Sequence, residues 1–307
     1  MAITAPVLWL DGALVKSASA HAPLMGHAVQ RGSLVFDVGS FNETPSGPAL
    51  FRARDHVARF LRSAALVGLE FPWDEAALVD AATWVVRESG ASRGLVRWSA
   101  FLSASEPDLV PRSHASHVAV AAQRFEDPSG MTPIRVAVFD NARKAPPEVL
   151  TPEAKASAAY LGPMLARKRA IAAGAHDVVL LDRDGFIAEA PIANAFAVVD
   201  GALWTPPLGR ILPGITRDTV LTLARIAGLS VREEPLPLEV FKHADEAFLT
   251  ATSLPIAPIA AVSDRVFPRS PGPITSALFE MLESARHGSA SSHASWLTPS
   301  AFVPRVE

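Results

Sequence analysis

Apolar and polar positions alternate early in the chain and then change period. Val7-Leu8-Trp9-Leu10 and Ala13-Leu14-Val15-Lys16 flank Asp11-Gly12, which predicts two short strands around a tight turn. Leu34, Val35, Phe36 and Phe41 predict a strand over 33–41, where Gly39 marks a bulge or a close backbone approach. Over 55–69 the period is helical. Val57, Phe60, Leu61, Ala64 and Val67 share one face, and Asp55, Arg59, Arg62 and Ser63 share the other, so the pattern alone puts Arg59 on a solvated face. A second helix is expected over 74–89, then strands over 95–102 and 118–122.

The polar, Pro- and Gly-bearing run 123–130 reads as a linker, after which Ile134-Arg135-Val136-Ala137-Val138-Phe139 begins a new strand. A basic amphipathic helix is predicted over 163–174, with Gly174 as its stop. Two hairpins follow, one turning at Asp184-Gly185 and one at Asp200-Gly201. The turn Pro213-Gly214 leads to Thr216, a good N-cap for an apolar-periodic helix reaching Gly228. A strand over 246–253 and a helix over 272–286 complete the pattern. The expected organisation is a smaller α/β domain over 1–122, a linker over 123–132, a larger domain over 133–286 and a Ser/Ala/Pro-rich arm over 287–307.

Composition narrows the function classes. The chain has 307 residues, a net charge of −3 and no basic stripe, so a nucleic-acid partner is not expected. The absence of cysteine excludes disulfides, thiolate nucleophiles and Cys-ligated metals. No signal-peptide pattern or membrane-length apolar run is evident, and the expectation is a soluble, cytoplasmic protein. Glycine-rich nucleotide loops, His-Glu-x-x-His and Gly-x-Ser-x-Gly are missing too. His114 and His117 have metal-like spacing but no third ligand nearby, and no metal site is expected.

Three features carry candidate chemistry. Lys155 and Tyr160 stand out because the chain has five lysines, 23 arginines and a single tyrosine. Lys155 lies among alanines and serines with little to solvate it, which favours the neutral amine that a Schiff base needs; the alternative is a surface lysine. Glu189 ends the apolar run Phe186-Ile187-Ala188-Glu189-Ala190-Pro191, and a carboxylate there must be paired or bind something positive. The turn at Pro213-Gly214-Ile215-Thr216 opens a helix whose free N–H groups suit a phosphate, and the Thr216 hydroxyl either caps that helix or donates to the phosphate.

These residues resemble a family. Lys155 with Tyr160, Glu189-Ala190-Pro191-Ile192-Ala193-Asn194-Ala195-Phe196, Leu203-Trp204-Thr205 and Leu212-Pro213-Gly214-Ile215-Thr216-Arg217 resemble the class IV (fold type IV) pyridoxal-phosphate aminotransferases. Within it, the resemblance is to the branched-chain aminotransferases. It implies a two-domain α/β (α+β) fold with pyridoxal 5'-phosphate between the domains, and at least a homodimer. Lys155 would be the Schiff-base lysine, Glu189 the partner of the pyridine nitrogen and Tyr160 the partner of the ring hydroxyl. Arg59, Ile215 (through its backbone amide), Thr216 and Thr252 would hold the phosphate, against the solvated-face reading of Arg59.

The expected reaction moves an amino group from a hydrophobic, branched-chain-like amino acid to a 2-oxo acid such as 2-oxoglutarate, by a ping-pong mechanism. Departures fall in the substrate region: Ser40 stands where branched-chain enzymes carry arginine, and Arg31 and Leu95 stand where they carry tyrosine. Pro191 replaces a small residue. Phe36, Arg31 and Arg97 are the substrate candidates, with a structural ion pair as the alternative for Arg31. These departures keep an (R)-selective amine or D-amino-acid transaminase, and behind it an aminodeoxychorismate-lyase-like activity, as alternatives.

Overall fold

Asp11 and Gly12 both take positive φ, 46° and 98°, the two-residue turn that matches the right-handed twist of paired strands. The computed structural model describes residues 3–113, 116–125 and 131–300. After β1 (Ile3–Thr4), this turn joins β2 (Val7–Leu10) to β3 (Ala13–Lys16). There follow α1 (His27–Arg31), β4 (Leu34–Asn42), β5 (Ala49–Phe51), α2 (Ala53–Leu66), α3 (Glu75–Ser89), β6 (Gly94–Leu102) and β7 (Ser116–Arg124). All are part of a first unit made of Met1–Pro128, Ala154–Ala158 and Ser284–Glu307.

The strands of this unit pair antiparallel in the order β5-β4-β6-β7-β2-β3, with β1 beside β7. Period-two alternation decides which side is core. Val96, Trp98 and Ala100 are fully buried in one cluster with Val57 and Phe60 of α2 and Leu78 and Val85 of α3. Leu95, Arg97, Ser99 and Phe101 therefore turn to the opposite face. Trp98 buries its whole side chain and still donates Nε1–H to the Leu78 carbonyl at 3.0 Å. Burial of that ring is worth about 4 kcal/mol at ~25 cal/mol per Å².

The second unit comprises Ser129–Glu153 and Ala159–Glu283. It contains β8 (Ile134–Arg143), α4 (Leu161–Ala172), β9 (Asp177–Leu181), β10 (Phe186–Ile187), β11 (Asn194–Val199), β12 (Ala202–Thr205) and α5 (Ile215–Ile226). Next come β13 (Val231–Glu233), β14 (Leu236–Pro237), α6 (Leu238–Lys242), β15 (Glu246–Ala251), β16 (Leu254–Val262), β17 (Arg265–Val266) and most of α7 (Pro273–Arg286). Its ten-stranded sheet runs β13-β12-β11-β15-β16-β8-β9-β10-β14, with β17 beside β16. The pairs β12–β13, β16–β8 and β8–β9 are parallel and the others antiparallel. Asp200 and Gly201 again both have positive φ, as the Asp-Gly signal predicts.

Several elements differ from the sequence pattern. Gln123 and Arg124, read as the start of a linker, are the last rungs of β7, paired with Leu95 and Gly94; residues 126–130 lie outside the described residues. The strand β16 was hidden by Pro255 and Pro258, and its ladder to β8 shifts register between Ile259 and Ala261. The arm after His287 folds back as a 3-10 turn (Ser291–Trp296) and β18 (Leu297–Pro299), which pairs antiparallel with β5. It completes an eight-stranded sheet. Phe302 lies outside the described residues. No described helix is long and apolar enough to cross a membrane.

Trp296 anchors that return. Its ring meets Phe51 edge-on at 5.9 Å, the Arg52 guanidinium lies 5.4 Å from it, and its carbonyl accepts Arg52 N–H at 2.6 Å. Trp296→Ala is expected to cost about 1–2 kcal/mol, a fall of a few degrees in the thermal unfolding midpoint. A midpoint unchanged by calorimetry would show that the arm adds nothing to the sheet.

Candidate active site

Lys155 is stitched into the first unit by its backbone. Its carbonyl accepts Phe36 N–H at 3.0 Å, its N–H donates to Ser63 Oγ at 3.1 Å, and Ala156 bridges to Val35. The tripeptide is thus an extra rung beside β4, and fully buried Ser63 of α2 fixes its depth. Gly32 permits the following residues to pass close by: with φ of 75°, a Cβ there would come within 3.3 Å of Ala158 Cβ.

The Lys155 amine lies 4.9 Å from the Phe36 ring centroid, and the Arg97 guanidinium lies 4.5 Å from the same ring. Lys155 keeps some accessible surface as a residue, yet its amine is enclosed by protein. Burial lowers its pKa to about 7, with Arg59 and Arg97 pushing the same way and Asp37 partly opposing them. The neutral amine expected from sequence follows, but the neighbours responsible come from β4, α2 and β6 rather than from adjacent alanines.

Arg59 is not on a solvated face; it is buried. Its Nε and Nη2 donate to the two carboxylate oxygens of Asp37 at 2.7 and 2.8 Å, a bidentate pair within the unit's interior. His56 Nδ1 lies 2.7 Å from Asp37 Oδ1, and its ring stacks on Trp98. Burial alone would raise the Asp37 pKa, but Arg59 and His56 hold it well below the ordinary carboxylate range. Burial pushes His56 the other way, toward the neutral ring. The helical period placed Arg59 outside because it could not register a buried acid on a neighbouring strand.

Glu189 belongs to the second unit, where the chain turns back on itself: Glu189 bridges to Asn194, and Ala190 N–H donates to the Ala193 carbonyl at 2.7 Å. Its Oε2 accepts Asn194 Nδ2 at 3.1 Å and Leu212 N–H at 3.0 Å, and its Oε1 accepts the Lys144 ammonium. The cation is not supplied by the adjacent sequence; it comes from Lys144, at the end of β8. Asn194 also donates to the Leu212 carbonyl at 3.0 Å. Gly214 packs so closely on it that a Cβ there would lie 2.0 Å from Asn194 Oδ1.

Gly214, not Thr216, is the N-cap of α5, and no side chain caps this helix start. Ile215 and Thr216 are its first two residues, so their N–H groups are among those a helix leaves without intrahelical partners. Thr252 lies in the turn between β15 and β16, and Tyr160 closes the 3-10 turn Ser157–Tyr160 that precedes α4. Arg217 is buried and tied to the Pro206 carbonyl and Glu233, a packing role. Arg31 is exposed at the end of α1, donating to the Gln30 carbonyl at 3.2 Å. Phe36 and Arg97 share one face of the sheet, whereas no contact links Arg31 to them among those described. His117 bonds Asp11 and Ser103, and His114 lies outside the described residues.

Sequence reasoning missed Asp37, Asn194 and Lys144. An acid inside the apolar run of β4 was a usable signal for Asp37, and the scarcity of lysine was one for Lys144. Only the fold reveals their partners.

The family model Amino-transferase class IV matches residues 35–262. The chain belongs to the class IV aminotransferases. A branched-chain-amino-acid aminotransferase of Pseudomonas aeruginosa is 30% identical over 296 residues, covering 95% of this chain and 96% of its own. A branched-chain aminotransferase of Thermoproteus uzoniensis, solved with norvaline, superposes with a TM-score of 0.92 at 32% identity, over 97% of this chain and 99% of its own. The branched-chain amino acid aminotransferase of Escherichia coli gives 0.92 at 28%, over 96% of this chain and 99% of its own. Another branched-chain enzyme, solved with N-(5'-phosphopyridoxyl)-L-glutamate, gives 0.93 at 31%, over 97% and 99%.

This aminotransferase therefore has the fold type IV architecture and depends on pyridoxal phosphate. Its own residues fit that group: an enclosed amine biased to the neutral form, a carboxylate with donors fixed on both oxygens, and an uncapped helix start.

The depressed Lys155 pKa has a stability signature in the cofactor-free protein. Between pH about 7 and 10.5 the unfolded chain holds a proton on this lysine that the folded chain has lost, so stability rises with pH across that window. Below about 7 both states are protonated and the contribution is flat. Lys155→Met is expected to remove this rise. Thermal midpoints of the two proteins from pH 6.5 to 10 should diverge; parallel curves would place the lysine in water.

Proposed function

We propose that this enzyme transfers the amino group of a hydrophobic, branched-chain-like L-amino acid to a 2-oxo acid such as 2-oxoglutarate, in two half-reactions of a ping-pong cycle. The observation that carries the reading is the face shared by β4 and β6, where Phe36, Val38 and Leu95 accompany a single arginine, Arg97. An apolar surface with one guanidinium suits an apolar side chain and one carboxylate. The branched-chain names of the relatives agree with it.

The roles assigned are as follows. Bound pyridoxal phosphate supplies an electron sink for the charge that develops at the substrate Cα. Lys155 Nζ would hold the cofactor and, when free, would take and return the Cα proton; a pKa near 7 suits a base at neutral pH. Glu189 would bind the ring nitrogen and Tyr160 the ring hydroxyl. Arg59, the Ile215 amide, Thr216 and Thr252 would hold the phosphate, and Asp37 keeps the Arg59 guanidinium in one orientation.

An (R)-selective amine or D-amino-acid transaminase is the second reading, favoured by Ser40, which is buried directly across from Leu95. We assign at least a homodimer, supported by the exposed apolar side chains Leu24, Met25, Leu109 and Val110 of the first unit.

An amino-donor panel decides among these readings. L-leucine with 2-oxoglutarate is expected to exceed D-alanine and (R)-1-phenylethylamine, with either 2-oxoglutarate or pyruvate, by about tenfold or more in kcat/KM. A preference for either of the other donors overturns the branched-chain reading. Lys155→Ala should lose both the visible cofactor band and turnover.

A further inference from the structure

Lys144 has no role in the reading above, yet it is the donor on Glu189 Oε1. Both side chains are largely buried, which makes the pair consequential. Lys144 is fixed from both directions: its N–H donates to the Leu181 carbonyl at 2.9 Å, and the preceding Arg143 donates to the Asp182 carbonyl at 2.6 Å.

The outer side of Lys144 lines a cavity of about 380 Å³ with Pro146, Glu148, Asp182, Arg183 and Arg210. The acids there already have arginine partners. Arg210 Nη1 pairs with Asp182 at 2.6 Å and with Asp184 at 2.7 Å, and Arg183 Nη1 pairs with Glu148 at 2.5 Å. Beside these pairs, the Lys144 ammonium donates to Glu189 Oε1.

Counting acceptor sites then separates the two oxygens of Glu189. A carboxylate oxygen has two lone pairs. Oε2 uses both, on Asn194 and Leu212, while Oε1 uses one, on Lys144. Among the described residues, three donors hold the carboxylate and one acceptor position remains, on Oε1 beside the ammonium.

We propose that Lys144 is a positioning residue for the cofactor ring: it fixes Glu189 Oε1 so that the remaining lone pair is presented to the pyridine nitrogen. The proposal rests on reading Glu189 as the partner of that nitrogen. The ammonium touches neither substrate nor reacting atoms, and its effect passes through the carboxylate.

The test is cofactor binding to the purified cofactor-free protein, followed by tryptophan fluorescence and the visible band. Two probes are used: pyridoxal phosphate and its carbocyclic analogue with carbon in place of the ring nitrogen. Lys144→Met is expected to weaken pyridoxal phosphate binding on the order of tenfold or more, the scale of one hydrogen bond to a charged group. Binding of the analogue should change by less than about threefold, because the contact that Lys144 orients is absent from it. Lys144→Arg should restore the discrimination.

Equal loss with both probes makes Lys144 merely structural and overturns the proposal. Unchanged or tighter binding of pyridoxal phosphate also overturns it, the latter because the ammonium would then act as a competitor for Glu189. Glu189→Gln separates the underlying reading. If Glu189→Gln changes the binding of both probes equally, Glu189 does not face the ring nitrogen; if it weakens pyridoxal phosphate selectively and Lys144→Met does not, only the role of Lys144 falls.

Discussion

The first unit turns on a buried ion pair one residue away from an enclosed amine. Asp37 holds Arg59 through two hydrogen bonds, and the next residue back, Phe36, carries the Lys155 amine over its ring. An isolated guanidinium at this depth would be costly, and Asp37 makes it tolerable. The pair is not electrically silent toward Lys155, however. Burial is the larger cause of the lowered pKa, the Arg59 charge adds to it, and Asp37 only partly offsets that push. After burial, this ion pair therefore contributes to the lowered pKa of the Lys155 amine.

How much of this was legible depends on the range of each interaction. Asp-Gly turns, helical stripes and apolar strands act over a few residues, so α2, α3, β4, β6 and the three Asp-Gly hairpins follow from local pattern. The motif residues Lys155, Glu189 and Thr216 were visible because their residue types are unusual in their settings. Their environments were not. Lys155 takes its character from residues about sixty to one hundred and twenty positions earlier, and Glu189 takes its cation from Lys144, just past β8 and 45 positions earlier. Arg59 was misread for the same reason: its partner is Asp37 on β4, and a helix period has no term for a strand. The N-cap at Gly214 was missed because a Cβ there would collide with Asn194, a contact made only by folding.

In the second unit a single asparagine links the recognisable motifs. Asn194 donates to Glu189 and to the Leu212 carbonyl, and its Oδ1 lies under Gly214 at the start of α5. The carboxylate and the helix start are therefore set by one side chain. Substitution of Gly214 would move both, which gives the Pro-Gly turn a reason beyond chain reversal.

The same economy operates on the face where substrate choice is proposed. Strand register places Ser40 opposite Leu95 and Val38 opposite Arg97, so these residues are direct cross-strand neighbours. The two departures from the branched-chain pattern, a lost arginine at 40 and a lost tyrosine at 95, thus fall on one rung. With serine and leucine there, polarity is withdrawn from that end of the face while Arg97, one rung along, keeps its charge over Phe36. Neighbours on a rung are coupled, and restoring either residue alone would put a long polar side chain against a partner selected without it. If this face selects substrate as proposed, the two positions act as a pair, and neither substitution read singly along the chain indicates what the pocket prefers.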